Sequence, residues 1–399
     1  MSKNFDVAII GAGPAGASLA IRLATYGCKV ALIEEQKFPR DKLCGEFISP
    51  ECISHFQELG IGERIKSSGG VFLKETVFYS PKGRKFSVPS SWFGGKAFSL
   101  SRACMDNELL GRAIEVGVDV FTETRITDFS FSKDRLDSVK LNRKEQNEKV
   151  KASIFVDATG RRRYVCKKVA QIKGFSGITQ TEKFWRVKSS AKKLVAFKAH
   201  LLNAKSSRET CEIYFYDGGY GGLSPIEDGL YNLCFIVRED QARTYKGDTS
   251  RLMREVICSN RRAMMTLKKV EIVSAWHSTT LQNFGRDSVT TVQNLFTVGD
   301  AAGFIDPFTG SGILIALESS KLLAQTIEQH KAEAPKDFMK LRQSYEHAYR
   351  AKFGKRFGLC TFLRFLAFSS PLLVESISFI FNKSPKLCLK SLAQLTRAG

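Results

Sequence analysis

With 399 residues, 43% of them apolar and 25% charged, the chain has ordinary globular composition and enough length to bury one or two substantial cores. Its ten cysteines are scattered from Cys28 to Cys388, with no Cys-x-x-Cys pair and no metal-like spacing to the five histidines, which argues against a disulfide framework or a metal centre and for a reducing compartment. The net charge of +21 calls for an anionic neighbour; no nucleic-acid motif accompanies it, which leaves a solvated basic surface or attraction to anionic lipid.

The N-terminal stretch MSKNFDVAIIGAG contains no apolar run of signal-peptide form and passes straight into a strand, so the expected location is cytoplasmic, with the inner face of a membrane as the neighbour the charge suggests. Val7 to Ile10 predicts a buried strand, Gly11-Ala12-Gly13-Pro14-Ala15-Gly16 a turn, and Ala17 to Tyr26 a helix that Gly27 stops. Val30 to Ile33 predicts a second strand ending in Glu34. In such a unit Gly11 makes the tight turn, Gly13 lets the backbone approach a pyrophosphate, and Gly16 lets helix and strand pack closely. Glu34, about 20 residues beyond the glycines, would accept from ribose hydroxyls. Glu35 is read as a surface residue.

Next comes DKLCGEFISPE, residues 41–51, where Cys44 could ligate a metal, attack a substrate or merely accompany a turn. ETVFYSPKGRKFSVP reads as a hairpin, and KLVAFKAHLLN, CEIYFYDGGYGGLSPIEDGLYNLCFIV and EIVSAWHSTTLQ read as antiparallel strands. Residues 217–225, DGGYGGLSP, read as a glycine-dense bend suited to close approach of a backbone to a ring. LFTVGDAAGFIDPFTGSGILIALESS then predicts a strand Leu295–Val298, the pair Gly299-Asp300, and a helix beginning near Ser311. An acid directly after a strand can hold a polyol, and the helix N-terminus behind Gly310, Gly312 and Ile313 offers amides to negative charge on a ring. That combination suits a flavin better than a nicotinamide.

These segments resemble the glutathione-reductase-type FAD fold, in the branch of geranylgeranyl reductases, aromatic hydroxylases and flavin-dependent halogenases. Gly11, Gly13, Gly16 and Glu34 match its dinucleotide motif, and Gly299-Asp300 with AAGFIDPFTGSGI its second FAD motif, most like the geranylgeranyl reductase version. The resemblance implies that Arg102, in SLSRACMDNELLGRAIEVGVDV, opens a helix near the FAD phosphates, and that the backbone at Ile126 contacts adenine. Lys42-x-Cys44-Gly45 resembles a geranylgeranyl reductase segment along the flavin, while Gly45-Glu46 with Pro50 resembles a halogenase pattern. Metal ligation by Cys44 is set aside. Gly45 is read as permitting close approach to the ring, and Cys44 as lining the cavity or as a buried structural thiol.

The implied fold is α/β: a Rossmann-like FAD-binding domain assembled from residues 1–75, 98–165 and 290–330, an antiparallel substrate-binding sheet from 76–97 and 166–289, and a helical C-terminal region, 331–399. Tyr220 and Pro225 remain of the family's pocket motif, whose tryptophans are missing; glycine and serine in their place suggest freed volume and a bulky substrate. No second Gly-x-Gly-x-x-Gly unit exists for a nicotinamide, so NAD(P)H would visit a groove or a separate reductase would supply electrons. Family hydroxylases that use NADPH carry Asp-Gly where this chain has Thr159-Gly160.

The expected activity is that of an FAD-dependent oxidoreductase on a hydrophobic, prenyl- or polyketide-like molecule, with monooxygenation favoured. The alternatives are reduction of isolated double bonds in a prenyl lipid, and a membrane-associated flavin binder without chemistry. Cys44 and Tyr220 are the candidate catalytic residues. The tail from Phe357 is strongly apolar, but Arg364, Pro371 and Glu375 interrupt it. It is expected to cap the pocket or to rest, amphipathic and basic, on an anionic membrane.

Overall fold

A computed structural model describes residues 2–143, 146–172, 193–282, 284–286, 292–331, 338–368, 370–383 and 386–396. The parts of the expected substrate domain at 173–192 and 287–289, and of the tail at 332–337, lie outside the described residues.

Strand Ser2–Ile10 ends in the apolar run Val7–Ile10, which like strand Val30–Ile33 is buried on both faces, and the two pair in parallel around helix Pro14–Thr25, which Pro14 opens. The seven-stranded sheet they enter runs Asp119–Phe121, Val30–Ile33, Ser2–Ile10, Gln146–Asp157, Arg135–Arg143, Arg125–Ser132. Leu295–Thr297 adds to the C-terminal end of Gln146–Asp157, pairing Phe155 with Leu295 and Asp157 with Thr297. That single pairing brings Gly299-Asp300 to the same sheet edge as Gly11. Ligands of such sheets bind beyond the carboxyl ends of the strands.

A second sheet has eight strands, with Leu194–Leu202, Thr210–Tyr216, Gly219–Pro225 and Tyr231–Arg238 at its centre and the hairpin Glu75–Tyr79/Lys85–Pro89 at one edge. It is antiparallel except where Thr210–Tyr216 meets Glu75–Tyr79, which pair in parallel. No turn links those two strands, so nothing forces them antiparallel.

The expected bend at 217–225 is corrected: only Asp217-Gly218 turns, and Gly219–Pro225 is a strand. Two of the glycines there serve packing. A Cβ on Gly219 would lie 2.0 Å from the Ile236 carbonyl oxygen, one on Gly221 2.9 Å from Phe235 Cβ, and one on Gly222 3.0 Å from Ile213 Cδ1. Gly219 and Gly221 are thus closed by packing, whereas Gly222 and Ser224, which stand where the family carries bulky side chains, line the cavity, with only the end of the Ile213 side chain close to Gly222.

Helices Phe338–Ala367, Pro371–Lys383 and Lys386–Leu395 form the C-terminal region. Among the described residues no single helix is long and apolar enough to cross a membrane.

Candidate functional site

One cavity of about 1280 Å³ runs between the two sheets and under the C-terminal helices. Its polar end begins at Gly11, which has φ +105° and whose Cβ would strike the Ala158 carbonyl oxygen at 2.4 Å. Gly16 is closer still, its Cβ falling 1.8 Å from the Gly11 oxygen. Both glycines are thus demanded by the crossing of helix and strands. Glu34 is buried at the end of its strand, accepting from Ala12 N–H at 2.9 Å and Gln36 N–H at 3.0 Å. Glu35 is half exposed and pairs with Arg125 at 2.8 Å, the surface role expected of it.

Ser101 caps helix Arg102–Glu115, its side chain accepting from Cys104 N–H. The cap sets Arg102 at the cavity, where Nε and Nη2 bind Asp106 at 2.8 and 2.7 Å. Arg40 shares Asp106, fully buried, at 2.9 Å and reaches Glu34 at 3.5 Å. Burial opposes the charge of Arg102, but Asp106 outweighs it and holds its pKa above the ordinary arginine value. Lys42, on the same wall, has its pKa lowered by burial and then by Arg40. Two guanidiniums stand beside Gly13, with Lys42 on the same wall, a strong attraction for phosphate. Ile126 lines this end, its carbonyl accepting from Tyr164 Oη at 3.1 Å.

The middle of the cavity is framed by Cys44-Gly45-Glu46 and by Gly310, Gly312 and Ile313 at the start of helix Gly312–Gln329. Glu46 has φ +55°, a left-handed conformation rare outside glycine. It is held there: its carbonyl accepts from Ser99 Oγ at 2.9 Å and Leu100 N–H at 3.3 Å. Its buried carboxylate receives Lys198 Nζ at 2.6 Å and Arg102 N–H at 2.8 Å on Oε1, with His200 Nε2 at 2.8 Å on Oε2. Lys198 also donates to Asp41 and to the Lys42 carbonyl, at 3.4 and 3.3 Å, and Asn232 Nδ2 donates to the Cys44 carbonyl at 3.0 Å. Lys198 and His200 lie two apart on one strand and so share a face, opposite Phe197 and Leu201 in the neighbouring core. Asp41, Glu46 and His200 come close enough to hold a cation, but the Lys198 ammonium already stands between the two carboxylates.

Asp300 lies on the cavity wall. Burial raises its pKa, and Arg161 and then Arg102 oppose the rise. A carboxyl raised in the fold gives stability that is present below its unfolded pKa and lost as pH climbs through the folded one. Cofactor-free Asp300→Asn should therefore melt above wild type at neutral pH, with the gap closing on acidification; a gap constant with pH in thermal melts would contradict this.

The far end is apolar, walled by Phe78, Phe215, Ile213, Phe308 and Leu363. Set into it, Tyr220 Oη donates to Asp306 Oδ1 at 2.8 Å, with the Phe308 and Phe368 rings edge-on to Tyr220 at 5.3 and 5.8 Å. Asp306 Oδ2 is buried without a hydrogen bond and faces Arg364 Nε at 3.8 Å. Burial raises the pKa of Asp306, against Phe308 N–H, Tyr220 and Arg364. Burial, then Asp306, raises that of Tyr220 well above its ordinary value.

The structure thus gathers the sequence-derived residues Gly11, Gly13, Pro14, Glu34, Lys42, Cys44, Gly45, Arg102, Ile126, Tyr220, Gly299, Asp300, Gly310, Gly312 and Ile313 around one cavity, with Gly16 packed directly behind Gly11. Sequence reasoning missed Arg40, Asp106, Lys198, His200 and Asp306, and gave Glu46 only a place in a motif. Lys198 and His200 did carry a signal, as charged residues alternating within an apolar strand.

Three glycines test whether a dinucleotide flavin fits. A Cβ on Gly45 or Gly312 would meet nothing within 4 Å, and one on Gly13 only the guanidinium ends of Arg102 and Arg40, at 3.8 and 4.0 Å. None of the three has the positive φ that would require glycine. Protein packing does not explain them, whereas a pyrophosphate at Gly13 and a ring between Gly45 and Gly312 do.

Comparison with known proteins agrees. Residues 4–355 match the family described as FAD binding domain. The chain is similar to digeranylgeranylglycerophospholipid reductase of Methanosarcina mazei, 28% identical over 89% of this chain and 82% of that one. It is also similar to conditioned medium factor receptor 1 of Dictyostelium discoideum, at 25% identity over 95% of this chain and 74% of that one. Among solved structures, a geranylgeranyl bacteriochlorophyll reductase-like protein from Thermoplasma acidophilum superposes with TM-score 0.80, covering 98% of this chain and 96% of that one at 20% identity, a likeness of fold.

Proposed function

The chain belongs to the FAD binding domain family and is an FAD-dependent oxidoreductase, and from that premise we propose that it reduces carbon–carbon double bonds in a long, apolar, prenyl-type lipid. The observation that carries the reading is Tyr220, which lines the largely apolar end of the cavity with buried Asp306 hydrogen-bonded behind it. FAD, when bound in its reduced form, supplies the hydride. Saturating a double bond also needs a proton on the second carbon, and a side chain at the apolar end of the cavity can hold it in place there.

Tyr220 and Asp306 can do this. Burial keeps the phenol protonated and favours protonation of the carboxyl, so a proton lost from Tyr220 Oη can be replaced through Oδ1, with Arg364 beside the other oxygen. Phe308 and Phe368 fix the ring that carries it. Arg40, Arg102 and Lys42 would hold the diphosphate, Glu34 a ribose, and Asp300 the ribityl chain. Monooxygenation, the reaction the sequence alone favours, asks for no proton-holding pair. The name of the Methanosarcina mazei relative, a reductase of a geranylgeranyl lipid, leans the same way.

The test incubates holoprotein, reduced anaerobically with dithionite, with a geranylgeranyl lipid and examines the product by mass spectrometry. Dithionite makes the result independent of whether NAD(P)H or a partner reductase is the natural donor. Gain of two hydrogens per double bond is expected. Gain of an oxygen atom in air, with none of hydrogen, would establish monooxygenation instead. Tyr220→Phe should still bind and reduce FAD while turnover falls about 10²-fold or more, the range general acid catalysis spans; unchanged turnover would remove Tyr220 from the chemistry.

A further inference from the structure

The C-terminal helices are apolar on two sides at once. Leu363, Ala367, Val374, Ile377 and Phe381 point inward and line the cavity. On the outside, Phe362 is 55% exposed, Phe365 70%, Leu372 75%, Phe379 48% and Ile380 57%. A helix apolar all round is ordinarily buried by something on each side, and contiguous exposed patches of this kind mark docking surfaces.

The surroundings of this face are basic. The hairpin turn carrying exposed Lys82, Arg84 and Lys85 is tied to helix Pro371–Lys383 through Glu375, which receives Lys82 N–H at 2.7 Å and lies 3.5 Å from Arg84 Nε. Arg84 also lies over the Phe379 ring, 5.2 Å from its centre. Lys383 and Lys386 are exposed where that helix gives way to the last one. From Phe357 to the end the chain has five basic residues and one acidic residue.

We propose that this face docks on an anionic phospholipid bilayer, its outer aromatic and leucine side chains in the headgroup and upper acyl layer and its lysines and arginines against lipid phosphates. This placement rests on the reading of the substrate as a lipid, because the helices that meet the bilayer are those that wall the apolar end of the cavity. The substrate then passes from bilayer to cavity between them without crossing water. An amphipathic surface with a basic rim lies in the interface plane rather than across it, in keeping with the inward-facing sides being engaged by the protein. A protein partner would need no concentration of cations around an apolar face, whereas anionic lipid supplies the complementary charge.

The experiment sediments holoprotein with vesicles of phosphatidylcholine and phosphatidylglycerol, with pure phosphatidylcholine vesicles as comparison. Binding to the anionic vesicles is expected, weakening with added salt. Phe362→Glu/Leu372→Glu should reduce partitioning by roughly 100-fold, since burying each side chain contributes about a factor of ten or more. FAD content and turnover of a short, detergent-dispersed substrate should be unchanged in that variant. Equal partitioning of wild type and variant, or none by wild type at low salt, overturns the proposal. Lipid-free self-association that the same substitutions abolish would overturn it too, assigning the face to a second copy of this chain. Turnover on the dispersed substrate is read separately, so failure of the lipid-reductase reading and failure of docking give different results.

Discussion

Replacing Lys198 by methionine is expected to lower stability by about 3–5 kcal/mol, the usual cost of removing one partner of a buried ion pair. Lys198 is 1% exposed and Glu46 fully buried, so no water can take the place of the ammonium at 2.6 Å. Methionine fits the space but leaves the carboxylate with only His200 and the Arg102 amide. Pairing with Glu46→Gln should return part of the loss, because a neutral amide no longer needs the cation. Urea denaturation of the cofactor-free proteins measures both steps. A Lys198→Met protein as stable as wild type would mean that the pair is wet. The same substitution frees the loop from Asp41 to Glu46, which Lys198 ties at three oxygens, and should weaken FAD binding as well.

Gly13→Ala and Gly16→Ala should part company completely. At Gly16 the new methyl would sit 1.8 Å from the Gly11 oxygen, and no backbone adjustment short of unpacking the helix relieves that. No folded protein is expected. At Gly13 the backbone is extended, with φ −74° and ψ −177°, and the methyl meets only the tips of two arginines. The cofactor-free Gly13→Ala protein should unfold within about 0.5 kcal/mol of wild type, yet bind FAD about 10- to 100-fold more weakly, since the methyl would crowd a pyrophosphate held by Arg40 and Arg102. Fluorescence titration and thermal melts distinguish the outcomes. Undiminished FAD affinity would place the pyrophosphate elsewhere.

The cofactor half of the molecule was legible because its demands are local. Gly11, Gly16 and Glu34 are fixed by a single strand–turn–helix–strand, and Asp300 and Gly312 by a strand, loop and helix, so short-range pattern was enough. The remainder depends on contacts between distant segments. Arg40 acquires meaning only when helix Arg102–Glu115 brings Asp106 to it, and Lys198 only when its strand lies against Glu46. The glycines of 217–225 misled in part for the same reason: read as one bend, they divide in the strand into Gly219 and Gly221, closed by Ile236, Tyr216 and Phe235, and Gly222, which lines the cavity. Asp306 stood in plain view within a recognised motif, and only Tyr220, from the other sheet, reveals what it holds.

The two halves of the cofactor cradle come from opposite ends of the chain, and the strand that joins them, Leu295–Thr297, is three residues long. Helix Gly312–Gln329 also packs on helix Pro14–Thr25 in one shared core, with Ser18 Oγ 2.7 Å from Ser320 Oγ, so the two halves are joined by protein, and FAD bound across them adds stability in proportion to the logarithm of its free concentration. In a cell short of riboflavin, the unloaded protein would remain folded but lose that increment, and its abundance would fall as far as the lost stability exposes it to degradation.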